Sequence, residues 1–202
     1  DDTRPLRVQM QAMAWSQDAQ GDDRYADSEA LLFFPKTMEI PPGASRVVRL
    51  GPRALPASQE DAYRLFIAEL PGPGDATGTG SASVRILLRV GVAVFVAPLE
   101  PKERAEFASF ELRRGSAELT VRNTGNVHVA ADRLSLVGLD HDGKRLFETP
   151  LRSRYFLVGT TRRLSAQIPS GQCRQLAALE AVLVGSGVDL KRRLDVSPAD
   201  CN

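Results

Sequence analysis

Histidine, cysteine and aromatic residues are scarce in this chain. Of 202 residues, two are His, two are Cys, one is Trp, and aromatics make up only 6%. Two distant histidines and two cysteines do not supply the ligand spacing of a zinc site. Asp140-His141-Asp142-Gly143 sets carboxylates beside an imidazole. Adjacent residues on a turn point in divergent directions, however, so the stretch reads as a solvated hairpin turn. His128, in NTGNVHV, is expected at a strand start rather than as a base. There is no G-x-S-x-G elbow. The glycines of 72–80 precede neither Lys-Ser/Thr nor a helix, so they do not make a phosphate loop. No catalytic cluster, cofactor site or metal site is expected.

Charge of one sign is lacking too. Lys+Arg 26 against Asp+Glu 25 gives a net charge of +1, which argues against nucleic acid as a partner. No apolar run reaches the roughly 18 residues of a membrane span, and Arg85 and Arg89 interrupt the best candidate, so no membrane insertion is expected. DDTRPLRVQ carries no apolar h-region and is not read as a signal peptide. Both cysteines, Cys173 and Cys201, fall in the last thirty residues. Such a pair suggests one disulfide pinning the C-terminus, hence an oxidising compartment. The alternative is two free buried thiols.

The chain is rich in period-two alternation. In VRILLRVGVAVFVAP (84–98), Val84, Ile86, Leu88, Val90, Val92, Val94 and Val96 share one face of a strand. Seven such positions span roughly 40 Å, well beyond an ordinary strand. The run follows a Gly/Pro-rich loop, PGPGDATGTGSAS (71–83), expected to be mobile without a partner. A long apolar edge strand invites aggregation unless it is lent to another protein's unfinished sheet. Shorter strands are read in LRVQMQAMAW, LLFF, SRVVRLGP and YRLFIAELP, with a turn at Pro41-Pro42-Gly43. LEPKERAEF (99–107) reads as a linker. A second series follows in ELTVRN, RLSLVGLD, KRLFETPL, RYFLVGTTRRLSAQIP and ALEAVLVG, with turns at Asn123–Asn126 and Asp142-Gly143. Strands at this spacing predict β-sandwiches in two domains, 1–98 and 99–202.

The order LLFFPKTMEIPPGASRVVRLGP, QEDAYRLFIAELP, loop, VRILLRVGVAVFVAP resembles the PapD-like periplasmic chaperones of chaperone–usher pilus assembly, in their divergent, non-classical branch. LTVRNTGNVHV and YFLVGTTRRL are similar to the family's second domain. The resemblance implies an all-β fold of two immunoglobulin-like domains set in an L with a cleft between them. It implies a periplasmic location, with pilus or fimbrial subunits and an outer-membrane usher as partners, and a self-capping dimer as a further possibility. It also implies that a long strand is donated to a subunit lacking its own last strand. Mapped back from Pro98, the subunit-binding residues are Val84, Ile86 and Leu88, continued by Val90 and Val92, while Val94 and Val96 fall to the protein's own core. An interdomain ion network is implied for Arg49, Glu60 and Asp189. The family's carboxylate-binding Lys is replaced by Ala93; Arg89, on the same face, is the candidate substitute, a solvated Arg the alternative. The resemblance also implies a first strand that has no match here, since residue 1 falls in the turn before the strand ending at Trp15. The competing reading is a secreted structural or adhesive immunoglobulin-like protein such as a pilus subunit, which would have one domain and an N-terminal donor extension.

Overall fold

The period-two pattern is realised throughout. The computed structural model describes residues 4–18, 21–56, 58–72, 86–169 and 171–201. Val84 and most of the Gly/Pro-rich loop, with its expected mobility, lie outside the described residues. Among those described there is no α-helix, only strands and two short 3-10 turns. They divide into two compact units. The first comprises Asp1–Trp15, Tyr25–Pro56 and Asp61–Val96; the second comprises Ser16–Arg24, Ala57–Glu60 and Ala97–Asn202. The two short segments from the first half thus group with the second unit, unlike a single cut at 98/99.

The first unit is built on β1 (Leu6–Gln17), β2 (Asp23–Asp27), β3 (Leu31–Phe34), β4 (Thr37–Ile40), β5 (Arg49–Pro52), β6 (Asp61–Glu69) and β7 (Arg89–Val96). One sheet runs β2-β1-β6-β7, with β4 also paired to β1; β3 and β5 form a second, two-stranded sheet. β2 lies within the polar stretch SQDAQGDDRYADSEA (16–30), whose composition reads as a loop or hairpin connection. The register sets Met10 opposite Ile67, Ala12 opposite Leu65, and Leu65 opposite Val92, so these side chains share the inner face. Met10, Ala12, Leu31, Tyr63, Leu65 and Val96 are the buried core. Burial pushes the Tyr63 phenol above its ordinary pKa, and the charge of Asp61 adds to this. The Pro41-Pro42-Gly43 turn closes with the Ala44 N–H donating to the Pro41 carbonyl at 3.1 Å.

The second unit has a sheet of β12 (Arg145–Pro150), β11 (Arg133–Leu139), β15 (Ala178–Gly185) and β16 (Val188–Asp195). A three-stranded sheet of β14 (Thr161–Gln167), β9 (Ser116–Asn123) and β8 (Ala105–Arg113) packs with it, and β10 (Val129–Ala130) pairs β13 (Tyr155–Phe156). Their inner faces meet in a core led by Phe156, Leu119, Leu136, Leu179 and Leu183, all fully buried. Two antiparallel sheets enclosing one core make an immunoglobulin-like sandwich. β8 begins at Ala105, inside the stretch read as linker. Its hairpin with β9 closes through Arg114 (φ 49°) and Gly115 (φ 72°), and that of β15 with β16 through Ser186 (φ 42°) and Gly187 (φ 70°). Two left-handed residues between strands are the type I′ turn that matches strand twist. Asp140 organises the expected turn before β12, its carboxylate accepting from the N–H groups of Asp142 and Lys144. His141 is exposed there.

Asn123 fixes the turn after β9. Its Nδ2 donates to the carbonyls of Val127 (2.8 Å) and Phe156 (2.9 Å), and its Oδ1 accepts from the Gly125 N–H. A Cβ on Gly125 would stand 2.1 Å from the Lys102 carbonyl oxygen, so only glycine fits there. Cys173 and Cys201 are joined in a disulfide that closes a 28-residue separation. Next to it, Asp200 accepts from the Ser197 N–H (2.8 Å) and hydroxyl (2.9 Å), which hold its pKa below the ordinary aspartate value.

Three outcomes follow for stability. Asn123→Ala orphans two buried carbonyls and an amide, and should lower unfolding stability by about 2–4 kcal/mol in urea titration. The double variant Cys173→Ser, Cys201→Ser should lose about 3–4 kcal/mol of loop-closure stabilisation and melt earlier, while a non-reduced digest of the native protein shows the linked peptides. The contribution of Asp200 is full above the ordinary aspartate pKa and is lost as pH falls through its lowered one. Acid titration of Asp200→Asn should therefore show less loss of stability over that window than the native protein.

Candidate functional site

A strand's two edges decide what it can still bind. β7 is the end strand of its sheet, paired with β6 on one side only. The ladder runs from Asp61 opposite Val96 to Ala68 opposite Arg89. One further backbone bond, the Glu69 N–H to the Leu88 carbonyl at 2.8 Å, carries it to Leu88. Leu70 faces β1 by parity and donates to the Arg7 carbonyl, and Pro71, next in line on the β7 side, has no N–H to give. Regular strand therefore covers Arg89–Val96, and residues 86–88 continue as an extension outside it. This is shorter than the continuous 84–98 strand read from the alternation. A run of apolar side chains sets which face they share, but the partner strand sets how far the ladder reaches.

The even-numbered side chains are graded in exposure. Val96 is buried at 9%, Val92 stands at 43%, Val90 at 54%, Leu88 at 65% and Ile86 at 79%. Val94 packs against the core. The gradient separates the end of the strand that completes this protein's own core from an end whose side chains are exposed. Leu50, on the inner face of the opposing β3–β5 sheet, is exposed too. The first unit thus leaves apolar side chains of β7 exposed on the face that its other end uses for the core.

Arg89 points the other way. Odd-numbered residues of β7 lie on the outer face, where the Arg89 guanidinium carbon sits 4.0 Å over the Phe66 ring. Tyr25 meets Phe66 edge-on at 5.2 Å, Arg64 lies 3.9 Å over Trp15, and Trp15 packs Phe95 at 5.7 Å. Arg89 is part of this cation–π and aromatic layer, across the sheet from Val90 and Val92. Stacking on Phe66 is a role the sequence did not suggest. Ala93 sits opposite Arg64 on the same outer face.

Glu60, expected in an ion network with Arg49 and Asp189, has His128 as its partner. The Glu60 carboxylate is buried and accepts from the His128 backbone N–H at 3.0 Å, and both its oxygens lie 2.9 Å from Nδ1. The Glu60 N–H donates to the Asn126 carbonyl, and Asn126 Nδ2 donates to the carbonyls of Ser58 and Glu100. Gln17 works alike, donating to the Tyr155 carbonyl and accepting from the Leu157 N–H. Arg49 is exposed at the start of β5, opposite Phe34, and Asp189 is exposed on β16, opposite Val184. The motif NTGNVHV carried the signal: a buried carboxylate needs a cationic or N–H partner, and His128 offers two donors. Among the described residues no group of His, Cys, Asp or Glu is arranged to hold a metal ion, and no helix is long and apolar enough to cross a membrane.

The family model for pili and flagellar-assembly chaperones, PapD N-terminal domain, matches residues 1–102, half of the chain and all of β1–β7. The Pseudomonas aeruginosa CupB2 chaperone is 15% identical over 96% of this chain and 88% of its own, with a TM-score of 0.56. The CsuC–CsuE chaperone–tip adhesion subunit pre-assembly complex, from archaic chaperone-usher Csu pili of Acinetobacter baumannii, gives 19% identity, 95% and 85% coverage and a TM-score of 0.58. The Salmonella enterica SafA pilin in complex with the SafB chaperone gives 13%, 96%, 84% and 0.55. At these identities the likeness is one of fold. No curated protein sequence matches the chain. With a family match over half its length and both sandwiches in place, the chain belongs to the PapD-type pili and flagellar-assembly chaperones, which are not enzymes.

Proposed function

We propose that this chaperone captures pilus subunits by lending the free edge of β7, with its extension through residues 86–88, to a subunit sheet that lacks a strand. The observation that carries the reading is the coincidence of an unpaired strand edge with an exposed apolar stripe on one face, Ile86, Leu88, Val90 and Val92. The edge supplies backbone hydrogen bonds, and the stripe supplies side chains for alternate pockets. Burying the part of these four side chains that is still exposed is worth roughly 4–7 kcal/mol before the cost of ordering the segment. Residues 1–98 act as the capture domain and 99–202 as its companion. The disulfide fits an oxidising compartment, the periplasm, from which an outer-membrane usher takes over the subunit. A second copy of the chain is the competing cover for the stripe when no subunit is present.

Ile86→Asp tests the reading. In a complex the new carboxylate would lie unpaired in an apolar groove, costing several kcal/mol. Capture of a co-expressed pilus subunit, followed by co-purification, should fall about a hundredfold. The free chaperone should keep its melting temperature, since Ile86 is exposed. Leu99→Asp, an equally exposed change away from the strand, should leave capture intact. Equal capture by the Ile86→Asp and native proteins would exclude strand donation, and sedimentation of the free protein reads out self-capping.

A further inference from the structure

We propose that the second unit carries a separate binding site, an arginine-lined cleft that takes an acidic peptide segment of a partner protein. Arg152, Arg154 and Arg162 line one opening of about 730 Å³, together with Ser153, Tyr155 and Asp132. Arg152 and Arg154 alternate with Ser153 in the stretch leading from β12 into β13, and Arg162 comes from β14. Arg162 is held in place. Its Nη1 donates to the Ser153 hydroxyl at 3.1 Å. Its stem passes so close under Gly21 that a Cβ there would stand 2.5 Å from the Arg162 Cγ. The Ala131 N–H donates to the Arg154 carbonyl at 2.8 Å, which ties the segment down, and the Arg154 guanidinium carbon lies 5.6 Å over the Tyr155 ring.

Three guanidiniums share this cleft with a single carboxylate, that of Asp132, whereas several arginines elsewhere in the unit are paired. Arg113 is met by Glu111, Arg122 by Glu106, Arg133 and Arg145 by Glu148, and Arg193 by Asp195. Among the described residues no ion pair closes on Arg152, Arg154 or Arg162, although Asp132 lines the same opening. Guanidinium forks bind carboxylate and phosphate alike. The size of the cleft decides between them. A water occupies about 30 Å³ of liquid, so a lone inorganic anion would leave this cleft almost empty. An extended peptide with carboxylates on alternate residues fills it, supplies one acceptor to each guanidinium and lays its backbone along Ser153 and Tyr155. The site lies on β13, β14 and the segment before them, and does not depend on strand donation by β7.

Fluorescence anisotropy with the full-length protein tests this. The probe is a short fluorescein-labelled peptide alternating glycine with aspartate; controls are the same peptide with asparagine for aspartate, and inorganic phosphate as a competitor. The acidic peptide should bind about tenfold or more tightly than its amide counterpart, with an affinity that falls as salt rises. The double variant Arg152→Ser, Arg154→Ser changes two exposed side chains and should keep the native melting temperature while losing the preference. Arg162→Lys keeps the charge but not the fork, and should weaken binding partly. Equal binding of the two peptides, or unchanged binding by the double variant, would overturn the proposal. So would full displacement by phosphate at the concentration of the peptide, which would leave a site for small anions only.

Discussion

An unpaired strand edge is an incomplete hydrogen-bonding surface, and its backbone groups must find partners in water or in another chain. In the first unit this constraint falls on β7. One edge is fastened to β6 along the ladder from Val96 to Arg89, while among the described residues no strand pairs its other edge. The side chains follow the same division. At Val96 the strand completes the protein's own core; by Ile86 the same face is open. A strand that is fixed at one end and unclaimed at the other can serve a second sheet without dismantling the first.

The two units meet their stability needs differently. The first has a small buried cluster and relies on an outer layer of stacked rings and guanidiniums around Phe66 and Trp15. The second has a broad apolar core between two sheets, tight I′ hairpins and a disulfide that restrains its C-terminal end. That contrast fits a protein in which one unit keeps apolar surface exposed for use and the other is closed on itself. Asn123 shows how the closed unit handles its polar groups, with one buried amide satisfying a turn N–H and the carbonyls of Val127 and Phe156 at once.

Glu60 shows how one buried carboxylate can reorganise its neighbourhood. A charge removed from water requires donors, and Glu60 takes them from the backbone and ring of His128. Asn126 fastens the same region through the carbonyls of Ser58 and Glu100. Segment 57–60 is thereby drawn into the second unit, although in sequence it directly precedes a strand of the first.

Local pattern determined a great deal. Alternation alone placed Ile86, Leu88, Val90 and Val92 on one face, because side chains along a strand point to opposite sides with period two. Asp142-Gly143 and Asn123–Asn126 announced their turns, because backbone conformation there is limited by the residue itself. Other signals were present but not read: the Arg114-Gly115 and Ser186-Gly187 turns, with the strands β8 and β16 that they join. Tertiary structure alone decided that, among the described residues, regular pairing with β6 covers Arg89–Val96, since a ladder needs a partner strand beside it. It alone turned Arg89 onto Phe66 and gave Glu60 to His128. It alone gathered Arg152, Arg154 and Arg162, residues of two strand neighbourhoods, into one cleft. Pairings between residues far apart in sequence depend on which strands become neighbours, and no single stretch of sequence carries that.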